Sequence, residues 1–314
     1  MIATPSQTSR TGHARAPTTL AGFAAAAALA CAALGSAQAQ VPPTLDKVKA
    51  SGSITVAYRE ASIPFSYLGG DGQPTGFGWE ICGRIVEQVK KATGRADLKV
   101  TTQAVTSQNR IPLLVNGTID IECGSTTNNS ERAKQVAFAV NYFYTGTRLL
   151  VKAGSPVKDV AALKGRKVVS TTGTTNMLVM RKLNAERNLG FELIGAKDHA
   201  ESALLVQNDR ADAFAMDDIL LYGLRASAQN PNDFAVVGEA IQVEPYAIML
   251  RRDDPAFKKL VDDTLGALMA SGEFEALYRK WFQSPIPPKG INLNAPMSDA
   301  LRDNLKARSD KPAT

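Results

Sequence analysis

The segment from residue 120 to residue 132 combines the residue types that hold a carboxylate. Its sequence is DIECGSTTNNSER, so small hydroxyl and amide side chains follow an apolar run, and an arginine closes the segment. Such a turn presents backbone N–H groups and hydroxyls to an anion, and the planar guanidinium of Arg132 completes a two-pronged clamp. The alternative is a turn that only caps a helix, with Arg132 in solvent.

A second candidate anion site is the strand, turn and helix start at residues 168–176. The sequence VVSTTGTTN leads into a helix predicted over residues 176–187. Free N–H groups at a helix start favour negative charge, and the hydroxyl of Thr174 or Thr175 adds a donor. The segment has neither the lysine of a P-loop nor the GxGxxG spacing, which argues against a nucleotide. The alternative is an ordinary threonine N-cap.

Carboxylate and imidazole groups also lie where predicted strands end. Asp217 and Asp218 follow the apolar run at residues 213–216, and an acid at the carboxyl end of a strand in an α/β protein can receive an ammonium group. Alternatively, Asp218 only caps the following helix. His199 lies at a strand-to-helix junction, where it either donates a hydrogen bond to an anion or packs against its neighbours.

The elements that must position these residues alternate along the chain. Short β-branched or apolar runs predict strands at residues 54–58, 99–104, 118–122, 167–171, 192–194, 211–216 and 246–250. Helices are predicted between and after them, at residues 79–93, 255–271 and 273–282 among others. This order predicts an α/β fold with mainly parallel sheets flanked by helices.

The chain is predicted to form two lobes. A turn-rich break at residues 153–156 follows the run at 146–150, and a second series of strands and helices begins there. We predict one lobe from residues 45–147 together with 246–283, and a second lobe from residues 148–245. The two chain crossings would act as a hinge. Residues 284–314 are predicted to form a tail with a short helix over 298–307.

The first 39 residues are typical of a secretory signal. Arg10 and Arg15 precede an apolar run at residues 20–34, no acidic residue occurs before Asp46, and the small-residue triplet at 37–39 is a cleavage signal. The alternative is an uncleaved anchor, but the run is short for a membrane span of about 20 residues. We expect cleavage after residue 39 and export to the periplasm.

Composition excludes several functions. The net charge is +6, but basic residues are scattered among acids, which argues against a nucleic-acid partner. His13 lies in the predicted leader and His199 is the only other histidine, so an HExxH site and other metal sites with two histidines are excluded, and no metal or other cofactor is expected. No GxSxG elbow is present. Cys82 and Cys123 would be permitted one bridge in an oxidising compartment, and the sequence leaves that pairing open.

Taken together, several long motifs resemble the glutamate/aspartate-binding branch of the periplasmic amino-acid-binding proteins of ABC importers, which is part of bacterial solute-binding protein family 3. The resemblance extends over nearly the whole chain. It is carried by YREASIPFSY at residues 58–67, TSQNRIPLL at 106–114, ECGSTTNN at 122–129, STTGTT at 170–175, AKDH at 196–199, MDD at 216–218 and NLN at 292–294.

The resemblance implies a two-lobed periplasmic-binding-protein fold of type II and a set of ligand contacts. Arg132, with Ser125 and Thr127, would hold the α-carboxylate of the ligand, and Asp217 would pair with its α-ammonium group. The side-chain carboxylate would be surrounded by Arg59, Ser107, Arg110, Thr175 and His199. Three arginines and a histidine against one aspartate suit a ligand with two carboxylates and one ammonium group.

The implied partners are L-glutamate or L-aspartate and the membrane permease of an ABC importer, with the binding protein acting as a monomer. The sequence does not decide between the two amino acids. The main alternative is an enzyme on the same scaffold, a periplasmic dehydratase of cyclic carboxylic acids such as prephenate or arogenate. Such an enzyme needs a general acid over its substrate, whereas cationic and hydroxyl groups occupy the candidate positions here, so we expect no enzymatic activity.

Overall fold

The computed structural model describes residues 41–313, and the predicted leader at residues 1–39 lies outside this range. None of the helices in the described range is long and apolar enough to cross a bilayer. The strands are β1 (Ser53–Tyr58), β2 (Ala61–Ser62), β3 (Ser66–Leu68), β4 (Pro74–Thr75), β5 (Lys99–Ala104), β6 (Ile121–Glu122), β7 (Val136–Phe138), β8 (Phe143–Lys152), β9 (Lys167–Thr171), β10 (Glu192–Ala196), β11 (Ala213–Asp217), β12 (Phe234–Val237), β13 (Val243–Tyr246) and β14 (Met249–Arg251).

The helices lie between these strands or follow the last of them. They are α1 (Thr44–Ser51), α2 (Phe77–Thr93), α3 (Arg110–Val115), α4 (Thr175–Glu186), α5 (His199–Gln207), α6 (Asp218–Ser227), α7 (Pro255–Ser271), α8 (Glu273–Phe282) and α9 (Asp299–Ala307). Three short 3-10 turns cover Arg132–Lys134, Ala161–Leu163 and Pro231–Asp233. The alternating order is the one that the hydrophobic pattern predicts.

Each lobe is built on one sheet. The first lobe has the strand order β5-β1-β6-β14-β7, and helices α1, α2, α3, α7 and α8 pack around it. The second lobe has the order β10-β9-β11-β8-β12, with α4, α5 and α6 packed against it. A small antiparallel sheet, β2-β3-β4, belongs to the first lobe. The two-lobed α/β prediction is confirmed.

The sheets are mixed, which corrects the prediction of mainly parallel sheets. In the first lobe β1 runs parallel to β5 and β6, but β14 runs antiparallel to β6 and β7. In the second lobe β9 runs parallel to β10 and β11, but β8 runs antiparallel to β11 and β12. Strands β8 and β14 enter their sheets from the hinge, without the crossover helix that parallel pairing requires.

The hinge consists of the two chain crossings paired with each other. The first half of β8 pairs with β13 in antiparallel register, Phe143 opposite Tyr246 and Gly146 opposite Val243. The second half of β8 continues into the sheet of the second lobe. Strand β8 runs without interruption from the hinge into that lobe, so no break in the strand marks where one lobe ends and the other begins. The lobe boundaries near residues 147 and 246 therefore stay a prediction.

The first lobe surrounds an aromatic core. Phe65 is fully buried and meets the rings of Phe143, Tyr246 and Phe282 edge to face, with ring centroids 4.9 to 5.5 Å apart. Edge-to-face contacts of this kind add about 0.5–1.5 kcal/mol each beyond the buried area. Since Phe143 and Tyr246 are paired in the hinge, this core also fixes where the hinge leaves the first lobe.

A disulfide joins helix α2 to the strand that leads into the hydroxyl-rich turn. Helix α2 buries Ile81, Ile85 and Val89 at spacings of four, and it begins at Phe77, two residues before the start predicted from the sequence. Cys82 on the same helix is bonded to Cys123, with the Cα atoms 5.9 Å apart. The pairing of Cys82 with Cys123, which the sequence left open, is therefore present, and it anchors the start of the turn.

The C-terminal tail is attached to the first lobe. Helix α9 begins after Ser298, whose hydroxyl accepts from the backbone N–H of Leu301, so the predicted short helix is present. Beyond it, the side chains of Asn128 and Asn141 donate to the carbonyl oxygens of Asp310 and Lys311. The chain end therefore lies against the hydroxyl-rich turn and supports it from outside.

Candidate functional site

The nine predicted site residues lie at the carboxyl ends of strands or in the segments that follow those ends. In the first lobe, Arg59 follows β1, Ser107 and Arg110 follow β5, and Ser125, Thr127 and Arg132 follow β6; in the second lobe, Thr175 follows β9, His199 follows β10 and Asp217 ends β11. The carboxyl ends of neighbouring strands meet at one edge of a sheet, which is the usual position of ligands in α/β proteins.

The structure brings these residues together between the lobes. Eight of them line one small cavity: Ser107, Arg110, Ser125, Thr127, Arg132, Thr175, His199 and Asp217. Arg59, the ninth, contacts two of the eight, since its Nη2 lies 2.8 Å from Ser107 Oγ and 3.3 Å from His199 Nε2. All nine are buried. Whether each one contacts a ligand stays a prediction, but the predicted set forms a single cluster.

Arg132 is held in the cleft and does not point into solvent. Only 8% of it is exposed, and its Nη1 donates to the carbonyl oxygen of Thr127 at 3.0 Å. Its Nη2 donates to the carbonyl oxygen of Gly173, in the second lobe, at 3.2 Å. The alternative of a merely solvated arginine is therefore wrong.

The other two arginines have buried donors without partners. Arg59 and Arg110 are each 2% exposed, and Nη1 of Arg59 and Nε of Arg110 have no hydrogen-bond partner within residues 41–313. Burial lowers the pKa of Arg59 to about 9, and the neighbouring Arg110 adds to this shift. Burial likewise lowers the pKa of Arg110. Both guanidinium groups stay charged at neutral pH, so unpartnered cationic donors lie at the base of the cleft.

The turn before α4 separates the roles of two adjacent threonines. Thr174 is the N-cap of the helix, because its hydroxyl accepts from the backbone N–H of Met177 at 3.2 Å. The N-cap alternative is thus correct for Thr174. The hydroxyl of Thr175 makes no capping bond and instead lies 3.3 Å from the hydroxyl of Thr127 in the first lobe. Thr175 is therefore the residue of this pair that takes part in the cleft.

His199 acts as a neutral acceptor for Arg59. Nδ1 lies 2.8 Å from the hydroxyl of Thr171, and Nε2 faces a guanidinium that can only donate. The network therefore places the imidazole hydrogen on Nδ1. Burial, reinforced by the charges of Arg59 and Arg110, lowers the pKa of His199 well below its usual value. In this arrangement Nε2 carries no hydrogen, so it does not donate to an anion, which was one of the two predicted roles.

Asp217 offers a buried carboxylate with both oxygens in hydrogen bonds. Oδ1 accepts from Asn176 Nδ2 at 2.7 Å, and Oδ2 accepts from the hydroxyl of Tyr246. It does not cap α6 with its side chain, and the neighbouring Asp218 accepts from Thr145 instead. Burial, with a further contribution from Glu244, raises the pKa of Asp217 well above its ordinary range. A cation bound beside Asp217 would stabilise the ionised carboxylate and so lower its pKa again.

Two buried glutamates were missed from the sequence. Glu244 on β13 is 1% exposed and Glu122 on β6 is fully buried, and their charges act on the cleft arginines. The count of three arginines against one aspartate is therefore incomplete. Nevertheless, none of the ion pairs within the described part of the chain involves Arg59, Arg110 or Arg132.

The missed acids change the electrostatic argument. Glu122 accepts from the hydroxyl of Thr126 at 2.6 Å, and Glu244 accepts from hydroxyl and amide donors, so neither neutralises an arginine directly. The expected preference for an acidic ligand would therefore rest on unpartnered guanidinium donors and not on a net surplus of charge. Little in the sequence indicates a role for Glu244, because it is a single acid in the short strand VEPY. Its position depends on the pairing of that strand with a partner strand about 100 residues away.

Comparisons with known proteins show the family of the chain. Residues 54–284 match the model of the bacterial extracellular solute-binding proteins, family 3. The chain is 50% identical to the L-glutamate/L-aspartate-binding protein of Pseudomonas aeruginosa, over 86% of this chain and 90% of that protein. It is 49% identical to the glutamate/aspartate import solute-binding protein of Salmonella typhimurium, over 85% of this chain and 89% of that protein.

A solved structure shares the fold. The P235GK mutant of ArgBP from T. maritima superposes with a TM-score of 0.69 at 24% identity, over 76% of this chain and 99% of that chain. The family match covers most of the described chain, including both lobes, the hinge and every predicted site residue. The chain belongs to family 3 of the bacterial extracellular solute-binding proteins.

Proposed function

We propose that the protein captures L-glutamate or L-aspartate between its two lobes outside the cytoplasmic membrane and delivers it to the permease of an ABC importer. The observation that carries the proposal is the pairing of opposite features in one cleft. Arg59 and Arg110 present buried donors without partners, and Asp217 presents a buried carboxylate. A ligand with a side-chain carboxylate and an ammonium group satisfies both.

The names of the relatives support the same ligand class, since proteins about half identical to this chain are glutamate/aspartate-binding proteins. The nine residues Arg59, Ser107, Arg110, Ser125, Thr127, Arg132, Thr175, His199 and Asp217 would form the ligand shell. Ligand binding would favour the closed arrangement of the lobes, and the permease would recognise that arrangement. The leader at residues 1–39 would direct the chain to the periplasm, where we propose that it acts as a monomer.

We further propose that the protein is not an enzyme. A dehydratase acting on a cyclic carboxylic acid would need a general acid facing the cavity. Nε2 of His199 accepts from Arg59 in this arrangement, so the ring offers no proton to the cavity, and Asp217 is assigned as the carboxylate that pairs with the ammonium group. Incubation with prephenate and arogenate should therefore yield no product, and turnover of either compound would contradict this part of the proposal.

Isothermal titration calorimetry with glutamate, aspartate, glutamine and asparagine tests the ligand class. A neutral side chain would leave the buried guanidinium donors unpaired, at a cost of about 2–5 kcal/mol. This corresponds to affinities about 30- to 4,000-fold weaker for the amides than for the acids. If glutamine binds as tightly as glutamate, the assignment to acidic amino acids is wrong.

A further inference from the structure

Glu244 receives four hydrogen-bond donors in the hinge. Its Oε2 accepts from the hydroxyls of Thr127 and Thr175, each at 2.5 Å. Its Oε1 accepts from Gln242 Nε2 at 2.5 Å and from the hydroxyl of Thr147 at 3.4 Å. The side chain is 1% exposed, so these donors take the place of water around its carboxylate.

The carboxylate connects three parts of the molecule. Thr127 belongs to the turn of the first lobe, Thr175 begins α4 in the second lobe, and Glu244 lies on β13 in the hinge. The two threonine hydroxyls lie 3.3 Å apart across the cleft, and both also line the cavity. One oxygen of Glu244 therefore joins the lobes at the wall of the proposed ligand site.

These bonds determine what the two hydroxyls can offer to a ligand. A threonine hydroxyl has one hydrogen to donate and lone pairs to accept with. Because both hydroxyls donate to Glu244, only their lone pairs remain for the cavity. They can accept from an N–H group, but they cannot donate to a carboxylate. Any carboxylate near Thr127 or Thr175 must be held by backbone N–H groups or by arginine.

A chain of hydrogen bonds places the ammonium partner Asp217 beside this pair. Asn176, which follows Thr175, donates through Nδ2 to Asp217 Oδ1 and to the hydroxyl of Thr147, in each case at 2.7 Å. The hydroxyl of Thr147 in turn donates to Glu244. Acceptors from Asp217, Thr127 and Thr175 thus line one cavity, and Glu244 supports them from behind.

We propose that Glu244 is a positioning residue, which fixes the hydroxyls of Thr127 and Thr175 as acceptors for the ammonium group of the ligand and ties the two lobes together in the closed arrangement. The inference rests on the proposed function. It changes the roles that the family resemblance implies for the side chains of Thr127 and Thr175, which were both placed beside carboxylates.

Two substitutions separate orientation from charge. Glu244→Asp keeps the charge but withdraws the carboxylate by one methylene from both hydroxyls, whereas Glu244→Gln keeps the length and replaces one acceptor by a donor. We expect each variant to bind L-glutamate about tenfold or more weakly than the unmodified protein in calorimetry. An affinity of Glu244→Asp equal to that of the unmodified protein would overturn the proposal, because charge alone would then suffice. If Glu244→Gln does not fold, Glu244→Asp decides the matter.

A third comparison distinguishes positioning from a general structural role. In a protein carrying Thr127→Val and Thr175→Val, no hydroxyl remains for Glu244 to orient. Adding Glu244→Gln to that background should change the glutamate dissociation constant by less than about threefold, since coupled residues are not additive. An equal loss in both backgrounds would overturn the proposal.

The unmodified protein is titrated in the same series. If it binds none of the four amino acids, the proposed function and this inference both fail. If it binds glutamate and the Glu244 variants match it, only the inference fails. Thermal unfolding of each variant without ligand confirms that the affinities are measured on folded protein.

Discussion

Nη2 of Arg132 donates a hydrogen bond to the carbonyl oxygen of Gly173, 3.2 Å away, and this bond crosses from the first lobe to the second. The same guanidinium donates to the carbonyl oxygen of Thr127 through Nη1. Both bonds use backbone acceptors, so the orientation of the guanidinium does not depend on another side chain. Arg132 is therefore fixed in the cleft at the point where the lobes meet.

Replacing Arg132 tests its proposed contact with the α-carboxylate. Arg132→Ala should abolish measurable glutamate binding in calorimetry, with a loss of at least about 2 kcal/mol, while circular dichroism shows an intact fold. Arg132→Lys keeps the charge but loses the planar fork, so its affinity for glutamate should lie between that of Arg132→Ala and that of the unmodified protein. Near-normal affinity of Arg132→Ala would show that the α-carboxylate is held elsewhere.

Gly223 provides a test of lobe closure that does not touch the ligand. It lies in α6 of the second lobe, and a Cβ atom added there would lie 2.5 Å from the carbonyl oxygen of Ile63 in the first lobe. Gly223→Ala should weaken glutamate binding by about 1–3 kcal/mol, because the methyl group prevents the lobes from meeting. Stability without ligand should stay equal or rise by about 0.5–1 kcal/mol, since alanine favours a helix.

Gly83→Ala is the matched control for this experiment. Gly83 lies in α2, and a Cβ atom added there would have no other atom within 4 Å. Its affinity for glutamate should equal that of the unmodified protein. If Gly223→Ala also binds normally, the two lobes do not come together at Gly223 and Ile63 in the ligand-bound protein.

Binding should depend on pH through Asp217. Burial and Glu244 raise the pKa of Asp217 in the free protein, and a bound ammonium group lowers it again. The free protein thus holds the proton more tightly than the complex does, so protonation competes with the ligand and affinity falls as pH falls. The fall in affinity is expected at pH values above the ordinary aspartate pKa of about 3.9. Measurements above pH 5 avoid protonation of the glutamate side chain, whose pKa is about 4.3.

Calorimetry in two buffers of different ionisation enthalpy measures this linkage. We expect up to one proton to be released per glutamate bound on the acidic side of the raised pKa, and none in Asp217→Asn. A heat of binding that is independent of the buffer at every pH from 5 to 8 would mean that Asp217 is ionised before the ligand arrives.

The disulfide should contribute strongly to the stability of the first lobe. Cys82 and Cys123 are separated by 41 residues, for which the chain-entropy model gives about 4 kcal/mol. The double variant Cys82→Ser with Cys123→Ser should lose about 2–5 kcal/mol in denaturant unfolding. Reducing the unmodified protein with dithiothreitol should produce the same shift, and an unchanged midpoint would contradict the expected contribution of the bridge.

Much of the ligand cluster could be predicted because its residues follow strands whose patterns are local. Thr175, His199 and Asp217 each lie within a few residues of an apolar run, and the ends of such runs converge in any α/β sheet. The resemblance to a known family then assigned roles to residues whose types already suited a carboxylate or an ammonium group. Arg59, Ser107 and Arg110 were expected from that resemblance alone, whereas the other site residues were also indicated by residue type and short spacings.

The alternatives that the sequence left open depended on burial. The residue types allow Arg132 to be either solvated or clamped, and Thr174 or Thr175 to be the helix cap. The structure places Arg132 in the cleft and makes Thr174 the cap. The bridge between Cys82 and Cys123 likewise required two Cα atoms to lie 5.9 Å apart. Distances of this kind depend on the packing of whole elements.

The sequence by itself determined the order of strands and helices and which residues follow each strand, because backbone preference and hydrophobic period act over a few neighbouring residues. Only the tertiary structure decided the mixed direction of the sheets and the function of Glu244. That carboxylate bonds Thr127 and Thr175, which are 117 and 69 residues away. Its role exists only because the hinge strands pair and close the two lobes around it.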